Sequence, residues 1–142
     1  MPPNQISLWR NMNSISETVV VKRFIAAGAI FALLATILGA FATHGLQGKF
    51  SVDQMKIFQT GIFYQFVHSL SLVMMGLLLL HANLKCVRWA GYLFIAGILF
   101  FSGSLYLLCI VKIKPLGIIT PIGGICFIMG WLSLAVGIYR NT

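Results

Sequence analysis

The chain has 142 residues, of which 59% are hydrophobic and only 8% charged, with a formal net charge of +8. That balance excludes an ordinary water-soluble domain, in which about 25% of residues are charged. It also argues against a nucleic-acid partner, because the ten basic residues are spread over every connection and tail and make no stripe that would follow a phosphate backbone.

Residues 1–23 read as a polar N-terminal tail, headed by Pro2 and Pro3, that is expected to lie outside the fold. Met12 is an alternative start, since Lys22 and Arg23 would still flank the first apolar run. The rest, 24–139, reads as four apolar spans at about Phe24–Thr43, Ile57–Leu80, Trp89–Val111 and Leu116–Tyr139. Each is long enough to cross a hydrocarbon layer of about 30 Å, which takes about 20 helical residues. The predicted fold class is all-α, a four-span transmembrane helical bundle.

The first span must be weighed against a signal peptide, because Lys22 and Arg23 precede it and Ala40-Phe41-Ala42 looks like a cleavage site. It is longer than the usual apolar core of a signal peptide, and it carries a packing stripe that a discarded segment would not need. Retention is expected. In that stripe Gly28, Ala32, Ala35, Gly39 and Ala42 fall at alternating steps of four and three. In span four Gly123, Cys126, Gly130, Ser133 and Gly137 do the same, and in span three Ala90, Gly97 and Ser104 recur every seven residues. Small side chains let helices approach closely where lipid offers no hydrophobic drive, so these seams predict a compact bundle with short antiparallel connections.

The first outer loop, His44–Lys56, reads as an amphipathic turn with Phe50, Val52, Met55 and Phe58 laid on the bilayer surface. Trp89, Tyr92 and Tyr139 stand near span ends, as interfacial aromatics do. Pro121 stands near the start of span four, with Thr120 placed to cap it. Cys86, Cys109 and Cys126 show no CxxC spacing and read as inert. Arg10, Lys22, Arg23, Lys85, Arg88 and Arg140 lie on one side of the spans, and Lys49, Lys56, Lys112 and Lys114 on the other. The bias puts both termini in the cytoplasm.

Span two is unusual. Thr60, Tyr64, His68 and Ser71 share a helical face with Gln65 beside it, and a face this polar is expected to point into the bundle. His68 sits near mid-span, and its ring needs one donor and one acceptor as partners in hydrocarbon. Ser104 and Tyr106 of span three, or Thr120 of span four, are the expected partners. The functional reading makes His68 a ligand or proton relay; the competing reading makes it an interhelical hydrogen bond that sets register. The second is preferred, because no Asp, Glu, Lys or Arg lies deep in any span to give a proton path a second station. His44, in Thr43-His44-Gly45, is the other candidate, and its plain reading is a helix-end residue beside a glycine terminator. A haem held between His44 and His68 is disfavoured because their depths disagree. His81 reads as a solvated cap. No catalytic, cofactor-binding or metal-ligating set stands out, and Glu17 and Asp53, the two acids, both lie outside the spans.

Four stretches carry a resemblance. They are Gly39-Ala40-Phe41-Ala42-Thr43-His44-Gly45-Leu46; Gln59-Thr60-Gly61-Ile62-Phe63-Tyr64-Gln65, leading to His68; Gly97-Ile98-Leu99-Phe100-Phe101-Ser102-Gly103-Ser104-Leu105-Tyr106; and Ile119-Thr120-Pro121-Ile122-Gly123-Gly124, with Gly130-Trp131. In this order, across about Phe24 to Tyr139, the chain resembles the small uncharacterised bacterial inner-membrane proteins of the YgdD/YwdK type, a domain-of-unknown-function family with mitochondrial relatives. It departs at Ala42-Thr43, where the family often has Gly-Ala, at Phe58, where it often has Trp, and in its long tail. The resemblance implies a four-helix integral protein of the bacterial inner (plasma) membrane with the first span retained. It implies no activity and no cofactor. The expected function is a small non-enzymatic binding or assembly module, associating with itself, with another membrane protein or with membrane lipid. The alternative is a lipid or small-molecule carrier with a polar pocket around His68.

Overall fold

The computed structural model describes residues 5–81, 84–111 and 117–140. Met1, Pro2, Pro3, Lys112, Lys114 and Leu116, which bear on the chain start, the orientation and the span limits, lie outside the described residues. The described chain is helical: α1 Gln5–Gly45, α2 Val52–His81, α3 Lys85–Gly97, a π-helical segment Ile98–Ser102, α4 Gly103–Val111 and α5 Thr120–Arg140. Four stretches are long and apolar enough to cross a membrane: Thr18–Gly45, Val52–His81, Lys85–Val111 and Thr120–Arg140. The protein is an all-α bundle with one helix pair at its centre. The most apolar window is 44% buried in α2 and 39% in the third span, against 17% in the first and 22% in α5. Accordingly α1 packs on α2, α5 packs on α3 and the π segment, and α2 joins the two halves.

α1 begins well before Phe24, and Val21 is buried beside Phe24. The helix therefore runs on from residue 5 into the first span, because no proline or glycine interrupts residues 5–23, and its apolar Val20 packs against the main core. α1 ends at Gly45, where Leu46 N–H closes on the Phe41 carbonyl at 3.2 Å, and Gly48 takes the left-handed conformation (φ 80°) in the next turn.

α2 starts at Val52 rather than near Ile57 because Ser51 and Gln54 form a reciprocal capping box. Ser51 N–H donates to Gln54 Oε1 at 3.0 Å, and Gln54 N–H donates to Ser51 Oγ at 3.2 Å. This corrects the expectation of an amphipathic turn on the bilayer surface. Once the helix starts at Ser51, Phe58 swings into a second core with Ala42 and Cys109, and Phe50 and Met55 pack against it; Val52 alone of the four points outward, 72% exposed. Gln54 Nε2 also donates to the Cys109 carbonyl (3.3 Å), and the Cys109 thiol donates to the Gln54 carbonyl (3.3 Å), so this end of α2 is tied to α4.

The small-residue seams lie where contact is closest. Gly28, Ala35 and Ala42 face α2, and a Cβ on Gly28 would come within 2.7 Å of the Ser69 carbonyl oxygen. Ala90, Gly97 and Ser104 are all buried. Gly123 sits directly on the backbone of Phe101, so α5 nests on the π segment where any side chain would collide with main-chain atoms. The π segment itself is a departure from the uninterrupted third span expected from the sequence. Gly103 N–H reaches back five residues to the Ile98 carbonyl, and the extra residue in the turn widens the helix there. The main core joins Phe24, Leu72, Met75, Phe94, Phe127 and Leu134 across all four spans. Outward, large apolar side chains such as Ile128, Ile110 and Phe63 are more than three-fifths exposed, a surface suited to hydrocarbon rather than water.

Candidate functional site

The polar groups within the spans form a network, but with a membership different from the one read along span two. The buried stripe of α2 runs Gly61, Gln65, His68, Leu72 and Met75, one position round from the expected face. Gly61 fixes this rotation: it receives the Tyr106 ring, whose Cε1 would stand 2.7 Å from a Cβ there. Gln65, expected at the flank, is therefore central and 4% exposed. Its Nε2 donates to the Phe31 carbonyl of α1 (2.8 Å), and its Oε1 accepts from the Tyr106 hydroxyl of α4 (2.8 Å). One amide side chain thus joins three helices.

Thr60 does not join this inward set. It is exposed, and its hydroxyl donates back to the Lys56 carbonyl at 2.9 Å, which supplies its partner within α2. Tyr64 stands at the rim, 37% exposed, with its ring against Phe101 at a centroid distance of 4.6 Å. Ser71 is buried and donates to the Val67 carbonyl (2.9 Å); Ser69, fully buried, does the same to the Gln65 carbonyl.

His68 is buried mid-helix, and its partners are not Ser104, Tyr106 or Thr120. Nδ1 lies 2.8 Å from the Tyr64 carbonyl, and Nε2 lies 3.2 Å from the indole Nε1 of Trp131 on α5. A carbonyl only accepts and an indole N–H only donates. The proton must therefore sit on Nδ1, and the Nε2 lone pair must receive Trp131. Partner chemistry fixes the neutral Nδ1–H tautomer, and neither ring nitrogen is left for a metal, a haem or a relayed proton. The ring also stacks on Phe127 at 3.5 Å between centroids, 12° from parallel. The partners anticipated for His68 are occupied elsewhere: Tyr106 on Gln65, and Ser104 and Thr120 on each other at 2.7 Å. Ser104 gives its own proton to the Phe101 carbonyl (2.9 Å), so Thr120 is the donor of that pair. Its hydroxyl bridges α5 to α4 instead of serving only its own helix start.

His44 is exposed at the end of α1, as a helix-end residue would be, and shares no site with His68. His81 is exposed at the end of α2, with Nδ1 on the Leu77 carbonyl (3.1 Å). Trp131, Ser69 and Phe127 were not singled out by polarity or periodicity. Trp131 had a usable signal, since an indole N–H inside a span needs an acceptor. Ser102, in the π segment, is fully buried and its hydroxyl has no hydrogen-bond partner among the described residues. Grooves open away from His68. One of about 370 Å³ lies between α1 and α2 around Gly39, Thr43, Gln59 and Phe63. Another of about 280 Å³ lies between α1 and α4, with Phe31, Leu34, Leu99 and Gly103 on its walls and Gln65 and Tyr106 at its floor.

Comparison with known proteins agrees with the resemblance seen in the sequence. Residues 38–124 match a family described as "Protein of unknown function (DUF423)". A UPF0382 membrane protein of Staphylococcus aureus (strain bovine RF122 / ET3-1) is 45% identical over 120 residues, 84% of this chain and 98% of that protein. One from Staphylococcus epidermidis (strain ATCC 35984) is 47% identical over 116 residues, covering 82% and 94%. The UPF0382 membrane protein YwdK of Bacillus subtilis (strain 168) is 44% identical over 117 residues, covering 82% and 95%. No solved structure matches.

Proposed function

This chain belongs to the UPF0382 (DUF423) family of membrane proteins of unknown function, and from that premise we propose that it acts as a non-enzymatic binding or assembly module. In this reading it works through contacts of its helices with a second copy, another membrane protein or lipid, in the bacterial inner (plasma) membrane with both termini cytoplasmic. The observation that carries it is the engagement of the two most central polar side chains within the bundle: both nitrogens of His68, and the amide nitrogen and oxygen of Gln65, have partners there. Groups used in this way hold helices in register and leave little to offer a substrate. The excess of basic residues on the side of the termini supports the orientation.

A carrier of lipid or a small molecule is the second reading, favoured by the groove between α1 and α4 whose floor includes Gln65 and Tyr106. Native mass spectrometry of the purified protein separates the two. The assembly reading expects the mass of the chain, its oligomer or a protein complex, with any adduct unchanged by Gly103→Leu, which puts a side chain into that groove. A reproducible small-molecule adduct that Gly103→Leu abolishes would establish the carrier reading instead.

A further inference from the structure

The seam between α1 and α2 is not closed along its whole length. Gly28 lies against α2 main chain, where a Cβ would stand 2.7 Å from the Ser69 carbonyl oxygen and 2.9 Å from the Val73 nitrogen. Farther along the same stripe, a Cβ on Gly39 would meet only Ile62 Cγ2, at 3.8 Å. The helices stand apart there, and the gap is the groove of about 370 Å³, a volume within the range of small-ligand clefts. Phe63 and Phe66 on its wall are 62% and 41% exposed, so it opens toward lipid. A smaller cleft of about 180 Å³ shares Thr43 and Gln59 and adds Gln47, which carries the groove up to the turn between the two helices.

The groove is layered. Phe66 lies about 10 Å farther into the span than Gln59, and the exposed Lys56 lies about 4.5 Å outside Gln59. The polar end, formed by Thr43, Gln47 and Gln59, is uncharged. His44, Lys49, Asp53 and Lys56 are exposed at this end of the bundle and line neither cleft. Lys112 and Lys114 lie outside the described residues, and Glu17 is about 39 Å back along α1 from Thr43.

Hydrogen bonding narrows the occupant. The Thr43 hydroxyl donates to the Gly39 carbonyl (3.1 Å), so toward the groove it can only accept. The carboxamides of Gln47 and Gln59 have no hydrogen-bond partner among the described residues, and each can both donate and accept. An occupant must therefore donate to Thr43 and accept from an amide. A hydroxyl does both. A quinone carbonyl or a phosphodiester only accepts, and the phosphodiester adds a charge that no wall residue pairs.

We propose that this groove binds an uncharged glycerolipid with a free hydroxyl, a diacylglycerol, with the hydroxyl at Thr43 and Gln59 and one acyl chain along Phe63 and Phe66. Without a phosphate to draw it into water, such a hydroxyl lies at ester depth, below the cations, where Gln59 stands. The inference goes beyond the helix contacts of the assembly reading, and the groove shares no residue with the His68 network or with the groove between α1 and α4.

The test uses the full chain in neutral detergent. Native mass spectrometry with equal amounts of dioleoylglycerol, the same lipid with its hydroxyl acetylated, and dioleoyl phosphatidic acid should show preferential retention of dioleoylglycerol. Gln59→Leu should weaken that binding about tenfold and Thr43→Val about fivefold, as expected for one hydrogen bond apiece. Gly39→Leu, which fills the groove where a Cβ has room, should abolish it while the lipid-free protein melts close to the parent. Gly103→Leu, in the other groove, should leave it unchanged, which separates this site from the carrier reading. Equal retention of the three lipids, or a preference for dioleoylglycerol that survives both Gly39→Leu and Gln59→Leu, overturns the proposal. So does a lipid-free dimer that Gly39→Leu dissociates, which would assign the groove to a second copy of the chain.

Discussion

An imidazole costs little in hydrocarbon once both ring nitrogens are engaged, and much more if either is orphaned. His68 meets the first condition through one bond inside its own helix and one from Trp131 on α5. Trp131→Phe and His68→Leu should each destabilise the bundle, and a double-mutant cycle should return a coupling of about 0.6–1.7 kcal/mol, the range for hydrogen bonds between membrane helices. Unfolding by SDS titration measures it; zero coupling would mean that the Trp131–His68 bond contributes nothing. His68→Gln, which keeps a donor and an acceptor, should stay close to the parent. Ser102 gives the contrast. Its buried hydroxyl has no partner among the described residues, so Ser102→Ala should be neutral or stabilising in the same titration, while Ser104→Ala, which cuts the link to Thr120, should lose stability.

Among the elements, the π segment and α5 set the sharpest constraint. Gly123 lies against the Phe101 backbone, whereas Gly103, at the other end of the π segment's last turn, has open space where a Cβ would go. Backbone cannot yield as a side-chain end can. Gly123→Ala should therefore cost about 1–3 kcal/mol or more through overpacking. Gly103→Ala should be tolerated, and should gain up to about 1 kcal/mol from helix propensity. Melting temperatures of the two variants in detergent should move in opposite directions. The small-residue seams were legible because steps of three and four define a helical face whatever surrounds it. The π segment was not legible, since its extra residue answers the close approach of α5 and no periodicity announces it. The capping box at Ser51 and Gln54 was written in the sequence as an S-x-x-Q pattern, but its effect on Phe58 depended on α4 lying opposite.

For the whole molecule, four crossings joined by short connections put the start of α1 and the end of α5 on one side. Reporter fusions at the two ends of the chain should give the same compartment, and the connection between α1 and α2 the opposite one. Opposite results for the two ends would require an odd number of crossings. The exposed large apolar residues are spread over all four spans, α2 included, so a second copy or another membrane protein would find apolar surface on every side of the bundle.

The solvent and the number of crossings were determined by the sequence alone, because the length and apolarity of a run are one-dimensional properties that hydrocarbon reads directly. The family and the inward placement of His68, Ser71 and Ser104 were legible too. What tertiary structure decided was the rotation of α2 about its axis and, with it, the identity of every polar partner. Placing Gly61 under Tyr106 turned Gln65 to the centre and Thr60 to the outside, and brought His68 under Trp131, 63 residues along the chain. Such pairings are chosen by which surfaces pack without voids, and that is settled only when all four helices are in place.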